Sequence, residues 1–129
     1  MIGVLIVTHG QFGEDLLKTA CAIMKETENV AALNLSRRLE FSTLRQRVVE
    51  EVNRLDRSSG VIVLTDTFGG TSYNTCIPLL KDFNLVLITG VNLPMLLSAF
   101  TNRKRLSLKD LARKISDDAK KTISIISES

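Results

Sequence analysis

Residues 61–74 read VIVLTDTFGGTSYN. The first five, Val61 to Thr65, are an unbroken apolar run rich in β-branched side chains, the pattern of a strand buried on both faces. Asp66 to Ser72 then form a polar, glycine-rich turn, and a helix is predicted to follow to about Lys81. Strand, turn and helix in that order make one βα unit of a parallel sheet.

The same unit recurs on either side. Ile2 to Val7 (IGVLIV) reads as another doubly buried strand. From Phe12 to about Lys25, Leu16, Leu17, Ala20, Ile23 and Met24 recur at helical spacing, with Glu14, Asp15 and Lys18 opposite. Val30 to Leu35 is a predicted strand. Ser42 is the expected N-cap of a helix carrying Leu44, Val48, Val49, Val52 and Leu55, which Ser58-Ser59-Gly60 breaks. Leu85 to Ile88 is a fourth strand, Gly90 to Pro94 a turn, and Met95 to Phe100 the start of another helix. Four such units predict a doubly wound α/β sheet with helices on both faces. The flavodoxin-like strand order 2-1-3-4 is the expected arrangement. Ser107 caps a last helix bearing Leu108, Leu111, Ala112, Ile115 and Ala119. Thr122 to Ile126 (TISII) then reads as a short strand, either antiparallel on its own sheet edge or exchanged with a second subunit.

Composition bounds the function. With 129 residues, one domain spanning 1–129 is expected. Hydrophobic residues at 44% and charged residues at 24% exclude disordered and fibrous chains. No apolar run approaches a membrane span, and Met1-Ile2-Gly3-Val4 lacks a basic leader. Cys21 and Cys76 have no CxxC spacing, suit a reducing cytoplasm and read as small buried hydrophobes. A net charge of +3 and a pI near 9.1 are too weakly basic to argue for nucleic acid, and the lack of Trp argues against a base-stacking surface. One histidine without clustered acids predicts no metal site, and no cofactor is expected. Arg37-Arg38, Arg45 with Arg47, and Arg103-Lys104-Arg105 read as solvated faces.

In open parallel sheets, ligands bind beyond the carboxyl ends of the strands, where strand order reverses. His9 directly follows the first strand (VLIVTHG) and Asp66 the third. In the order 2-1-3-4 these strands are neighbours, so the two side chains can meet. A carboxylate that accepts the proton of one ring nitrogen fixes the tautomer and leaves the other nitrogen as a nucleophile. Gly69 and Gly70 let the backbone approach an anion, and helix-start N–H groups at Thr71 and Ser72 favour a phosphoryl group. Thr71 and Ser72 can also donate hydroxyl hydrogen bonds or cap the helix. Each piece has a plain structural reading by itself: a lone histidine at a strand end, an aspartate in a turn, a Gly-Gly turn without a complete P-loop. Their convergence at one sheet edge favours a site. A response-regulator receiver shares the architecture but needs acidic residues where this chain has Thr8-His9-Gly10.

The stretches GVLIVTHGQFGEDLLKTA, GVIVLTDTFGGTSYN and ITGVNLPML, in order over roughly residues 2 to 100, resemble the IIA domain of the mannose-type (mannose–fructose–sorbose) branch of the bacterial sugar phosphotransferase system. The resemblance implies that His9 is transiently phosphorylated and that Asp66 orients it. It implies that Gly69 and Gly70 lie beside the phosphoryl group, with Thr71 where a serine is usual. It further implies HPr as phosphate donor, a separate IIB component as acceptor, membrane IIC and IID components, and an antiparallel edge strand commonly exchanged in a homodimer. The usual Gly-Gly-Ser-Pro is here Gly69-Gly70-Thr71-Ser72, which keeps a hydroxyl but loses the proline that presets a first helical turn. The loop Ser36-Arg37-Arg38-Leu39-Glu40 is more basic than the family's usual acidic loop. A regulatory phosphorelay protein with the same His9 chemistry, the phosphotransfer subunit of a dihydroxyacetone kinase, and a non-catalytic anion-binding module are the alternatives.

Overall fold

The apolar runs become four strands: β1 (Gly3–His9), β2 (Val30–Leu35), β3 (Val61–Thr65) and β4 (Leu85–Thr89). In the computed structural model, which describes residues 1–36 and 40–128, they form one parallel sheet in the order β2-β1-β3-β4. Among the described residues five α-helices accompany them: α1 (Phe12–Met24), α2 (Phe41–Leu55), α3 (Thr71–Cys76), α4 (Leu93–Asn102) and α5 (Leu108–Lys120).

Side chains alternate across a strand, so each buried run feeds two cores. Val4, Ile6, Ile62 and Leu64 pack with Ala20, Leu96, Ala99, Leu111 and Ile115 on the face covered by α1, α4 and α5. Leu5, Val7, Val61 and Val63 pack with Leu44, Val48, Val52, Leu55 and Leu79 on the opposite face. This sandwich is the expected flavodoxin-like doubly wound fold. Register places the site: Val7 pairs with Thr65, so His9 and Asp66 both overhang the same end of neighbouring strands.

Several local expectations need correction. Ser42 lies inside α2; Glu40 is the N-cap and makes no side-chain cap bond. The helix after β3 runs only from Thr71 to Cys76 before tightening into a 3-10 turn over Ile77–Lys81. Pro78 accounts for the break, because its ring and missing N–H cannot continue an α-helix. Ser107 does cap α5, its Oγ accepting the Asp110 N–H at 3.3 Å.

The expected C-terminal strand does not form within this chain. Residues 122–128 carry no strand, and Ile123, Ile125 and Ile126 are 83%, 97% and 92% exposed. A strand needs a ladder partner, and none of the described residues supplies one.

Arg103 also departs from its reading as part of a solvated face. Its side chain is fully buried. Nη2 donates to the carbonyl of Glu28 at 2.5 Å and Nη1 to those of Asn29 and Ile2 at 3.2 and 3.4 Å. Glu26 stands 3.4 Å away, and the guanidinium lies 5.2 Å from the centre of the Phe100 ring. Arg103 therefore ties the end of α4 to the α1–β2 loop and the start of β1. The Arg37-Arg38 pair lies outside the described residues.

Candidate functional site

The turn after β1 is tied down from below. Thr8 is buried, and its Oγ1 accepts the Gly13 N–H at 2.7 Å, pinning the first turn of α1 to the strand end. The Gly10 N–H donates to the carbonyl of Leu35 at 3.0 Å. His9 is thus held between a fixed strand and a fixed helix, with its ring beyond the sheet.

Asp66 extends from the neighbouring strand to meet it. His9 Nδ1 lies 2.7 Å from Asp66 Oδ2, and the backbone N–H of His9 donates to the same oxygen at 2.9 Å. Asp66 Oδ1 accepts the Thr67 N–H at 2.9 Å. The histidine side chain is 61% exposed and the aspartate 14%. Burial is the largest influence on the Asp66 carboxyl and pushes it up. The His9 N–H, the His9 ring and the Thr67 N–H together outweigh burial and hold it below the ordinary aspartate value. An ionised carboxylate only accepts, so Nδ1 carries the proton and the lone pair sits on Nε2. Among the described residues nothing bonds Nε2.

Gly69 adopts φ +77°, a backbone region disfavoured for side-chain-bearing residues. Gly70 passes close to both sides of the site: a Cβ there would collide with Thr67 Oγ1 and stand 3.9 Å from His9 Cε1. Thr71, the first residue of α3, lines a concavity of about 730 Å³ together with His9, Leu35 and Phe41. Ser72 behaves differently. It is fully buried, and its Oγ has no hydrogen-bond partner among the described residues. One step along a helix rotates a side chain by about 100°, so the hydroxyl beside Thr71 faces the interior. The structure thus brings His9, Asp66, Gly69, Gly70 and Thr71 together and turns the Ser72 hydroxyl away. No trio of His, Cys, Asp or Glu among the described residues could hold a metal ion.

Sequence reasoning passed over two features. Thr8 holds the histidine's turn, and its signal was a hydroxyl directly before the histidine. Phe12, Phe41 and Phe68 are exposed: Phe12 three residues after His9 in sequence, Phe68 two after Asp66, and Phe41 in the concavity that His9 lines. Exposed aromatic side chains on a protein surface suit a macromolecular partner.

Comparison with known proteins supplies the class. A family described as the PTS system fructose IIA component matches residues 3–116, and the chain belongs to that family of phosphotransferase-type proteins. It is 30% identical over 129 residues to the PTS system fructose-specific EIIA component of Bacillus subtilis, covering 99% of this chain and 88% of that one. It is 35% identical over 103 residues to the mannose-specific EIIAB component of Escherichia coli, covering 79% of this chain but 32% of that longer protein. Among solved structures, phosphotransferase system component EIIA from Streptococcus agalactiae has a TM-score of 0.89 at 27% identity over 97% of both chains. The mannose/sorbose specific IIA subunit from Enterococcus faecalis has a TM-score of 0.87 at 18% identity over 99% of this chain and 96% of that one, a likeness of fold. Among the described residues no helix is long and apolar enough to cross a membrane.

Proposed function

We propose that this chain is a cytoplasmic phosphohistidine carrier, which accepts a phosphoryl group from phospho-HPr on His9 and passes it to a separate IIB component during sugar uptake. The single observation that carries the reading is the 2.7 Å contact between His9 Nδ1 and Asp66 Oδ2, with the ring otherwise open to an incoming macromolecule.

The step balances without an added base. The Nε2 lone pair of neutral His9 attacks phosphorus in line with the donor's P–N bond. That bond breaks, and its electron pair returns to the donor ring, which leaves as neutral imidazole because its other nitrogen carries a proton. The N–P bond formed at Nε2 makes the His9 ring cationic, and the Asp66 carboxylate beside Nδ1–H stabilises that charge. The first amides of a helix have no intrahelical acceptor, so the Gly70–Ser72 backbone can receive the equatorial phosphoryl oxygens, with the Thr71 hydroxyl as a further donor. Transfer to IIB reverses these steps. The family relationship supports HPr and IIB as partners, with indirect association to membrane IIC and IID components. A homodimer joined by exchange of Thr122–Ile126 belongs to the same reading.

Incubation with enzyme I, HPr and phosphoenolpyruvate tests it. One acid-labile, alkali-stable phosphoryl group per chain is expected, absent from His9→Ala. A wild-type chain that takes no label would overturn the proposal.

A further inference from the structure

Three successive carbonyls in the turn after β3 are held by two residues of α3. Asn74 Nδ2 donates to the carbonyl of Gly69 at 3.2 Å, and the Asn74 backbone N–H donates to that of Gly70 at 2.8 Å. Thr75 Oγ1 donates to the carbonyl of Thr71 at 2.7 Å.

A trans peptide sets its C=O and N–H on opposite sides of one plane. The Gly69 carbonyl shares its plane with the Gly70 N–H, the Gly70 carbonyl with the Thr71 N–H, and the Thr71 carbonyl with the Ser72 N–H. Carbonyls drawn towards Asn74 and Thr75 therefore turn these three N–H groups the other way. None of the three meets an acceptor among the described residues. Gly70 lies beside the histidine ring, since a Cβ there would stand 3.9 Å from His9 Cε1. Thr71 lines the concavity that His9 shares.

The first of these planes is the least secured. It precedes Thr71, the first residue of α3, so no helical bond reaches it. Gly69, at φ +77°, has the wide backbone freedom of a glycine. Among the described residues the Asn74 side chain is the one donor to its carbonyl. The histidine's own turn has a comparable latch in Thr8, whose Oγ1 accepts the Gly13 N–H at 2.7 Å.

We propose that Asn74 is a positioning residue for phosphoryl transfer: its side-chain amide, by holding the Gly69 carbonyl, aims the Gly70 N–H at an oxygen of the phosphoryl group on His9. The inference rests on the carrier reading above and adds the side chain that sets the donor's direction. Asn74 acts through the backbone and touches no reacting atom. A donor fixed beforehand stabilises the charged group without reorganising during transfer.

The test follows backbone amide resonances of the full chain by nuclear magnetic resonance, before and after labelling with enzyme I, HPr and phosphoenolpyruvate. The labelling rate is read alongside. Wild type is compared with Asn74→Leu, which has no donor at its end, and with Asn74→Asp, whose carboxylate only accepts. Asn74 is exposed, so both variants should fold, and their amide resonances outside the turn should match the wild type. Phosphorylation should move the wild-type Gly70 amide proton downfield, the mark of a new hydrogen bond. In both variants that movement should largely disappear, and labelling should slow roughly tenfold, the loss of about one hydrogen bond to the transferred group. A wild-type Gly70 proton that does not move overturns the inference and leaves the carrier reading standing. Variants that keep the movement overturn it too, as do variants labelled at the wild-type rate. A wild-type chain that takes no label overturns the carrier reading and this inference with it.

Discussion

Asp66 Oδ2 accepts two hydrogen bonds from a single residue, His9: one from the ring Nδ1 at 2.7 Å and one from the backbone N–H at 2.9 Å. One oxygen therefore fixes both the strand end and the ring that projects from it. Orientation of the imidazole and closure of the β1–β3 edge are a single event.

Asp66→Asn should separate the two roles. The amide can still accept from the backbone, but it cannot balance charge on the ring. Phosphorylation of His9 should slow by roughly a hundredfold while the far-ultraviolet spectrum is unchanged. The same variant should flatten the acid limb of the stability curve. The Asp66 carboxyl is lowered in the folded state, so the unfolded chain binds its proton more readily. The stability it contributes is whole above the ordinary aspartate value of about 3.9 and disappears as pH falls through the lower folded value. Urea midpoints measured from pH 6 down to pH 2 check this.

The two glycines should fail differently. At Gly69 a Cβ meets nothing within 4 Å, so Gly69→Ala costs only the left-handed backbone penalty, about 1 kcal/mol. At Gly70 a Cβ collides with Thr67 Oγ1 next to the histidine ring. Thr67 is exposed and Gly70 has an ordinary φ of -81°, so Gly70→Ala should turn that hydroxyl aside and cost less stability than Gly69→Ala does. Parallel melting curves distinguish them.

Neighbouring hydroxyls at Thr71 and Ser72 should also separate. Thr71 opens onto the His9 concavity, so Thr71→Ala should slow transfer by roughly tenfold, the loss of one charge-assisted hydrogen bond. Ser72 Oγ is buried without a partner among the described residues. Removing an unsatisfied buried hydroxyl relieves its desolvation, so Ser72→Ala should leave the rate unchanged and raise stability by up to about 1 kcal/mol. A Ser72→Ala chain that lost phosphorylation would place that hydroxyl on the phosphate after all.

Arg103→Met should be among the most damaging changes far from the site. It leaves the carbonyls of Ile2, Glu28 and Asn29 without their donor and Glu26 without its buried partner. A loss of about 3 kcal/mol is expected in urea unfolding. The folded fraction should still be phosphorylated at the normal rate.

The strands were legible because a doubly buried parallel strand is a continuous apolar run, and here the runs are short, rich in β-branched side chains and bounded by polar turns. Val61 to Thr65 and Ile2 to Val7 are such runs, and their order set the sheet. His9 and Asp66 were legible for a related reason: the residue after such a strand must lie at the sheet edge. What escaped depended on partners distant in the chain. Arg103 sits in a basic triplet that looks solvated, yet its acceptors come from Ile2 and the loop at Glu26 to Asn29. Ser72 looks like Thr71 in sequence, but helical rotation sends one hydroxyl to the site and the other to the core.

The amino-acid sequence by itself determined the βα units, the parallel sheet and the two residues that face each other across it. These follow from local periodicity and from the short reach of a turn. Only the tertiary structure decided that a single carboxylate oxygen holds both ring and backbone of His9, that Arg103 is interior, and that Ile123, Ile125 and Ile126 are exposed. Those outcomes depend on which surfaces meet once the sheet has twisted and the helices have packed, and no local pattern encodes that.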